Sequence, residues 1–347
     1  MTRRAILFIL ALTFCIGVFL RFYKLGDIPS GLEQDETSIG YNAYSILQTG
    51  KDEYGKKMPL YFKAFGEYKL PGYIYASVLP IKYFGLNAFG VRFVSALSGS
   101  LTILLIFALT KELFEKHAAR DTLALFSAAF LALNPWHLHF SRGAFEVTLA
   151  FFFLVFGLLA FLLAVKRKKL FFLIGSVVLF TLSLYTYNIS RLFVPILGIT
   201  LLILYRQQIV KLPRIWITGA VLTACILLLP FLKSIGGKGG VSSTTGTLIF
   251  TSKAVQAPLL EVRSVINLNS PLAAKLVFNI PLLTTYQYIQ NVASYLSVEY
   301  LFLTGAIHGN HGIGTDGQFY LFQLPLIIIG IVLLWKKPKQ TSYLLFA

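Results

Sequence analysis

Charged side chains make up only 13% of the 347 residues, about half the share of a soluble globular chain. With 56% hydrophobic and 15% aromatic residues, that shortage excludes a disordered tail protein and a set of soluble domains. Cysteine is almost missing: Cys15 and Cys225 both lie inside apolar runs, so no disulfide or metal framework follows from them. A phosphate-cradling G-x-x-x-x-G-K-[ST] loop is absent, which removes nucleotide hydrolysis. GIGTDG fits G-x-G-x-x-G but has no strand–turn–helix around it and is a chance match. Acids are scarce too, 14 against 31 bases, for a net charge of +17. Such an excess can mean nucleic acid, but its meaning depends on where the bases sit.

What the chain has is long apolar runs. A membrane span needs about 20 of them in a row, and eight stretches qualify: 5–22, 89–110, 122–138, 144–165, 170–187, 189–205, 215–232 and 319–335. Leu20-Arg21-Phe22-Tyr23 offers no small-residue cleavage site, so the first run reads as a retained anchor. With the N-terminus inside, the short cytoplasmic pieces hold 15 of the 31 bases and only three acids, Glu112, Glu115 and Asp121. That is the positive-inside signal, and it accounts for most of the charge without nucleic acid. Pro71–Gly85 is apolar but short and carries Pro80 and Lys82. Counted as a span it would send Lys166–Lys169 outside, so it reads as a helix at the outer interface. The expectation is an all-α polytopic protein of the plasma (inner) membrane, one transmembrane domain over 1–347. Its N-terminus is cytoplasmic, and its two large outer loops are 23–88 and 233–318.

The first outer loop concentrates ionisable residues. In GLEQDETSIGYNAYSIL, Asp35 and Glu36 open an amphipathic helix. Asp35 fits an N-cap first, and beside that a carboxylate that takes a proton from an acceptor hydroxyl. Lys69, in GEYKLPGYIYA, is a snorkelling lysine or a phosphate ligand at headgroup depth. The second loop holds His137, His139, Arg142 and Glu146. Glu146 opens an apolar helix, where an ionisable residue is costly and usually functional, and Arg142 is spaced to pair with it. The His-x-His spacing suits a strand-borne metal site but lacks an evident third ligand. No cofactor is required on this reading, a divalent metal being the one that the histidines leave open. Arg191 sits among aromatics in YTYNISRLFVP, and His308 and His311 lie in the last outer stretch.

All these residues fall on one outer face. Together with NAFGVRFVSALSGSLTILLIFALTKELF, the SRGAFE turn and FYLFQLPLIIIG, the strings above resemble the GT-C glycosyltransferases of the protein O-mannosyltransferase and aminoarabinose-transferase type. The resemblance runs from Phe8 to Trp335 and implies a GT-C helix bundle with interfacial helices in the first outer loop. It further implies transfer of one sugar, with inversion, from a polyprenyl-phosphate donor to an acceptor hydroxyl on the extracytoplasmic side. The acceptor is a protein, a lipid or a glycan. The catalytic carboxylate maps onto Asp35 with Glu36 beside it, and a second acid onto Glu146, where the family usually has Asp. Lys69 maps onto a lysine that binds the lipid phosphate, Arg142 and Arg191 are candidates for the same role, and Tyr41, His308 and His311 for substrate contacts. Family members run longer, which implies a further C-terminal portion. The rival function is a transporter or flippase of polyprenyl-linked lipids. It expects ionisable residues near mid-membrane, and the spans are almost free of them.

Overall fold

A computed structural model of the chain describes residues 2–65, 67–235, 279–306, 312 and 317–336. Helix α1 (Arg3–Phe22) leads into α2 (Gln34–Thr49), a hairpin of β1 (Phe62–Ala64) and β2 (Glu67–Lys69), and α3 (Pro71–Phe84). Then follow α4 (Ala88–Leu113), α5 (Arg120–Leu133), α6 (Pro135–Arg142), α7 (Glu146–Arg167), α8 (Leu170–Thr186), α9 (Ser190–Leu204), α10 (Arg206–Ile209) and α11 (Arg214–Ile235). Beyond residue 278 come α12 (Ile280–Tyr295), a π-helical turn (Glu299–Leu303) and α13 (Gln323–Lys336). A 26-residue helix such as α4 is about 39 Å long and exceeds a bilayer core of roughly 30 Å. By length and composition α1, α4, α7 and α11 can each cross a membrane, and α8, α9 and α13 are shorter apolar helices.

Seven of the eight expected spans are single helices. The stretch 122–138 is not: α5 stops at Leu133 and α6 starts at Pro135. The cause is local. Pro135 has no N–H for the helix ladder, and the Asn134 side chain accepts from His137 N at 2.8 Å, capping a new helix. The carbonyls of Leu131 and Ala132 are met by the buried Arg21, whose guanidinium donates to them at 3.2 and 3.0 Å. The Pro71–Gly85 expectation holds as a helix, with Pro71 in its first turn and Gly85 ending it at φ 82°.

Helix α4 is the hub, packed against α1, α3, α5, α6 and α7. Its buried face carries small residues, among them Ser95, Ala96, Ser98, Gly99, Ser100 and Thr102, which let neighbouring backbones approach closely. Their hydroxyls stay satisfied: Ser98, Ser100 and Thr102 each bond the carbonyl four residues back at 2.7 Å. Helices α7 and α8 lock similarly, with Ser183 donating to the Ala150 carbonyl at 3.1 Å and Ser176 to that of Gly157 at 2.9 Å. Leu192, Ile203, Ile215 and Ile226 on α9 and α11 stand exposed, as an apolar surface facing lipid requires.

Ionisable residues mark the two ends of the bundle. At one end Lys166 and Arg167 pair with Glu112, Lys166 also with Glu115, and Lys111 with Asp121. At the other end the loop after α1, the hairpin, the start of α7 and the α8–α9 turn converge.

Candidate active site

At that second end a cleft of about 1280 Å³ opens, lined by Asp35, Lys69 and Glu146 together with Trp136, Phe140, Tyr187 and Glu299. Each ionisable group is placed by the start or finish of an element. Asp35 lies in the first turn of α2 and Glu146 is the first residue of α7, positions where the helix dipole favours a carboxylate. Lys69 ends β2, and its register partner across the hairpin is Phe62, which is fully buried. The hairpin thereby presses the lysine stem inward, leaving the side chain 5% exposed. Its ammonium lies 2.9 Å from the Asp35 carboxylate and 3.8 Å from Glu146. A buried cation thus bridges two acids more than 100 positions apart in the chain, and the Asp35 carboxylate remains 48% exposed to the cleft mouth. Beside them, burial and the negative Glu146 push the Tyr187 hydroxyl above its ordinary pKa.

Asp35 is not the N-cap of α2. That place belongs to Glu33, and Glu36 closes a capping box by accepting from the Glu33 N–H at 3.1 Å. Glu36 itself is buried and fully engaged. One oxygen accepts from Arg92 Nε at 2.9 Å and Ala144 N at 2.8 Å, and the other from Arg92 Nη2 at 2.8 Å. Burial pushes its carboxyl pKa up, but the Arg92 guanidinium and the two backbone N–H groups outweigh that and hold it below the ordinary value. Glu36 therefore ties α2 to α4 and to the α6–α7 turn, and it does not line the cleft. Arg92 is the residue that sequence reasoning passes over. Its signal was an arginine inside an apolar helix, which is costly and seldom idle.

The three cations expected at a phosphate part company. Lys69 is in the cleft, while Arg142 and Arg191 do not line it. Arg142 does not pair with Glu146. It donates to the carbonyls of Leu20, Tyr23 and Ile28, because the last turn of α1 and the irregular loop after it present acceptors that no helix satisfies. Burial, then the charge of Arg92, lowers its pKa. Arg191 donates to the Tyr61 hydroxyl at 2.9 Å and lies over the rings of Tyr61 and Phe231 at 5.4 and 4.9 Å, fastening α9 to the first loop and to α11.

The histidine pair stands on helix α6 and not on a strand. His137 is buried, with Nδ1 accepting from Arg21 at 2.8 Å, and His139 packs against Phe140 and Phe145. The two therefore do not converge on a common ion, and among the described residues no group of three or more His, Cys, Asp or Glu is placed to hold a metal. Tyr41 is half exposed and does not line the cleft. His308 and His311 lie outside the described residues.

Comparison with known proteins bears on this architecture. The family model of the dolichyl-phosphate-mannose-protein mannosyltransferases matches residues 70–233. That match takes in Arg92, Arg142, Glu146 and Arg191 and begins one residue after Lys69. The Archaeoglobus fulgidus oligosaccharyltransferase, solved with a tethered acceptor peptide containing the NVT sequon, aligns over 99% of this chain with a TM-score of 0.58 and 16% identity. The oligosaccharyltransferase AglB of the same organism, in complex with an inhibitory peptide and a dolichol-phosphate, aligns over 98% with a TM-score of 0.58 and 15% identity. The chain spans 46% of each of those chains. No curated protein matches it. At such identities the agreement lies in the path of the helices, which is the GT-C arrangement. The chain is a membrane protein with the GT-C glycosyltransferase fold.

Proposed function

We propose that the protein transfers one sugar from a polyprenyl-phosphate donor to an acceptor hydroxyl, with inversion, in the cleft beside Asp35. The observation that carries this reading is the Asp35–Lys69–Glu146 bridge at the cleft wall. Inverting transfer needs a base on the acceptor side and positive charge where the phosphate departs. The acceptor oxygen attacks the anomeric carbon, its proton passes to the Asp35 carboxylate, and the bond from that carbon to the phosphate oxygen breaks. Polyprenyl phosphate leaves with the electron pair, and its charge develops beside Lys69. A phosphate approaching Lys69 competes with Asp35 for the ammonium, so donor binding loosens the ion pair as the carboxylate is needed. AglB is solved with a dolichol-phosphate, a lipid phosphate of the kind this chemistry releases. The positive-inside charge pattern supports a cleft on the extracytoplasmic side and a cytoplasmic N-terminus.

Transport of the same lipids fits less well. In the apolar helices of the described residues, every Asp, Glu, Lys and Arg lies within five residues of a helix end, so the mid-membrane site a transporter uses has no counterpart.

The test is purified protein incubated with a panel of polyprenyl-phosphate sugars, read as release of free polyprenyl phosphate. Asp35→Asn should fold and bind donor but lose transfer by at least about 10²-fold, the usual scale for a general base. Near-normal turnover in that variant would return the role of base to Glu146. No release from any donor would refute the transferase reading itself.

A further inference from the structure

The segment between α2 and α3 carries a surface that the chemistry above does not use. Lys51, Lys56, Lys57 and Lys63 are all exposed, and none makes an ion pair with a carboxylate among the described residues. The two acids between them pair with none of these lysines and accept local hydrogen bonds instead. Asp52 accepts from the N–H groups of Tyr54 and Lys56 at 3.1 and 2.7 Å, and Glu53 accepts from the Asn42 amide at 2.9 Å. Lys51 and Lys57 are also antiparallel bridge partners. The bonds around them, Asp52 N to Lys56 O and Met58 N to Gly50 O, make them a non-hydrogen-bonded pair. In that register opposed side chains come closest, and like charges directly opposite are destabilising.

Apolar groups are interleaved with these lysines. Tyr54, Met58 and Phe65 are each more than half exposed, and Lys63 sits 5.3 Å over the Tyr54 ring, joining the turn to the hairpin. Met58 and Phe65 hold left-handed backbones, φ 41° and 46°, conformations that cost energy for side chains of this size. The segment is fastened to α3 by the Tyr75 hydroxyl, which donates to the Pro59 carbonyl at 2.8 Å. Helix α3 exposes Leu79, Tyr83 and Phe84, the face of a helix lying in a headgroup layer.

We infer that residues 51–65 form a docking surface for anionic lipid headgroups of the surrounding leaflet. Unpaired, mutually repelling lysines bind the phosphates, and Tyr54, Met58 and Phe65 enter the acyl boundary. A soluble acidic partner would use the lysines but leave the strained, exposed Met58 and Phe65 without a role.

The experiment uses the full chain in nanodiscs of phosphatidylcholine alone or of an equal mixture with phosphatidylglycerol. Met58→Cys, on a background in which Cys15 and Cys225 are serine, carries an environment-sensitive fluorophore quenched by acrylamide, which is neutral and blind to the lysines. The label should be shielded in the anionic discs and accessible in the neutral ones. A lysine beside an anionic surface is worth about fivefold in association, so Lys51→Gln with Lys57→Gln should lower the docking equilibrium constant roughly 25-fold and raise quenching. Equal quenching in both disc types would overturn the inference. So would shielding by a soluble acidic oligosaccharide in neutral discs without shielding by phosphatidylglycerol, since the surface would then belong to a soluble polyanion.

Discussion

Removing the charge of Glu36 should cost the protein much of its stability, while Asp35, its neighbour in sequence, should tolerate the same change. Glu36 accepts four hydrogen bonds, two from Arg92 and one each from Ala144 N and Glu33 N, at 5% exposure. Glu36→Gln keeps the shape but leaves the Arg92 guanidinium, itself 1% exposed, with carbonyls as its only acceptors. Breaking one partner out of a buried ion pair costs about 3–5 kcal/mol. Arg92→Met should cost a similar amount, and the double variant should cost clearly less than the sum, because neither charge is then stranded. Thermal unfolding in detergent, followed by circular dichroism, measures all three. The effect also has a definite pH dependence. The folded-state pKa of Glu36 is depressed, so its contribution is present above the unfolded carboxylate value and fades as pH falls through the folded one. The gap between wild type and Glu36→Gln should therefore close on acidification. A Glu36→Gln protein unfolding at the wild-type temperature, or a gap that widens in acid, would refute the reasoning.

Lys69→Ala should raise KM for the lipid donor far more than for the acceptor while the protein remains folded. Unchanged donor KM would confine Lys69 to bridging Asp35 and Glu146. Gly72→Ala should destabilise by about 1–3 kcal/mol, the usual cost of overpacking. A Cβ there would lie 2.4 Å from the Thr186 hydroxyl oxygen and 2.9 Å from the Thr186 backbone, so α3 or α8 must move. Adding Thr186→Ala should not restore the wild-type unfolding temperature, because the clash with the α8 backbone remains. An unfolding temperature unchanged by Gly72→Ala would show that the two helices separate freely.

Periodicity and charge made the bundle legible: long apolar runs bounded by Lys and Arg say where helices begin and end, whatever they pack against. The break in the third run was legible too. Asn134-Pro135 is a turn signal, but the apolar residues on either side hide it when hydropathy alone is followed. The site was half legible. Asp35, Lys69 and Glu146 stand out as ionisable residues at the edges of apolar segments, and the fold brings them together. Residue type could not say which acid is exposed and which is locked. Asp35 and Glu36 are adjacent in sequence, yet about 100° apart on a helix, so one faces the cleft and the other faces Arg92. Arg142 misleads for a related reason. Its i,i+4 spacing to Glu146 presumes one continuous helix, and Gly143 to Phe145 interrupt it.

The placement of Asp35 therefore rests largely on charges outside the cleft. The chain between α1 and α2 is irregular, and each of its carbonyls needs a donor near the membrane surface. Arg142 meets those of Leu20, Tyr23 and Ile28, and Arg92 those of Leu25, Pro29 and Gly31. Two guanidiniums, each a rigid fork of five donors, thus hold the end of α1 and the loop after it at six carbonyls between Leu20 and Gly31. A lysine at either place would bring a single point of attachment and could not span the same carbonyls. Arg92 then continues to Glu36, and Glu36 fixes the first turn of α2, in which Asp35 is the preceding residue. Arg92 and Arg142, neither of which lines the cleft, thereby set the position of its half-exposed carboxylate.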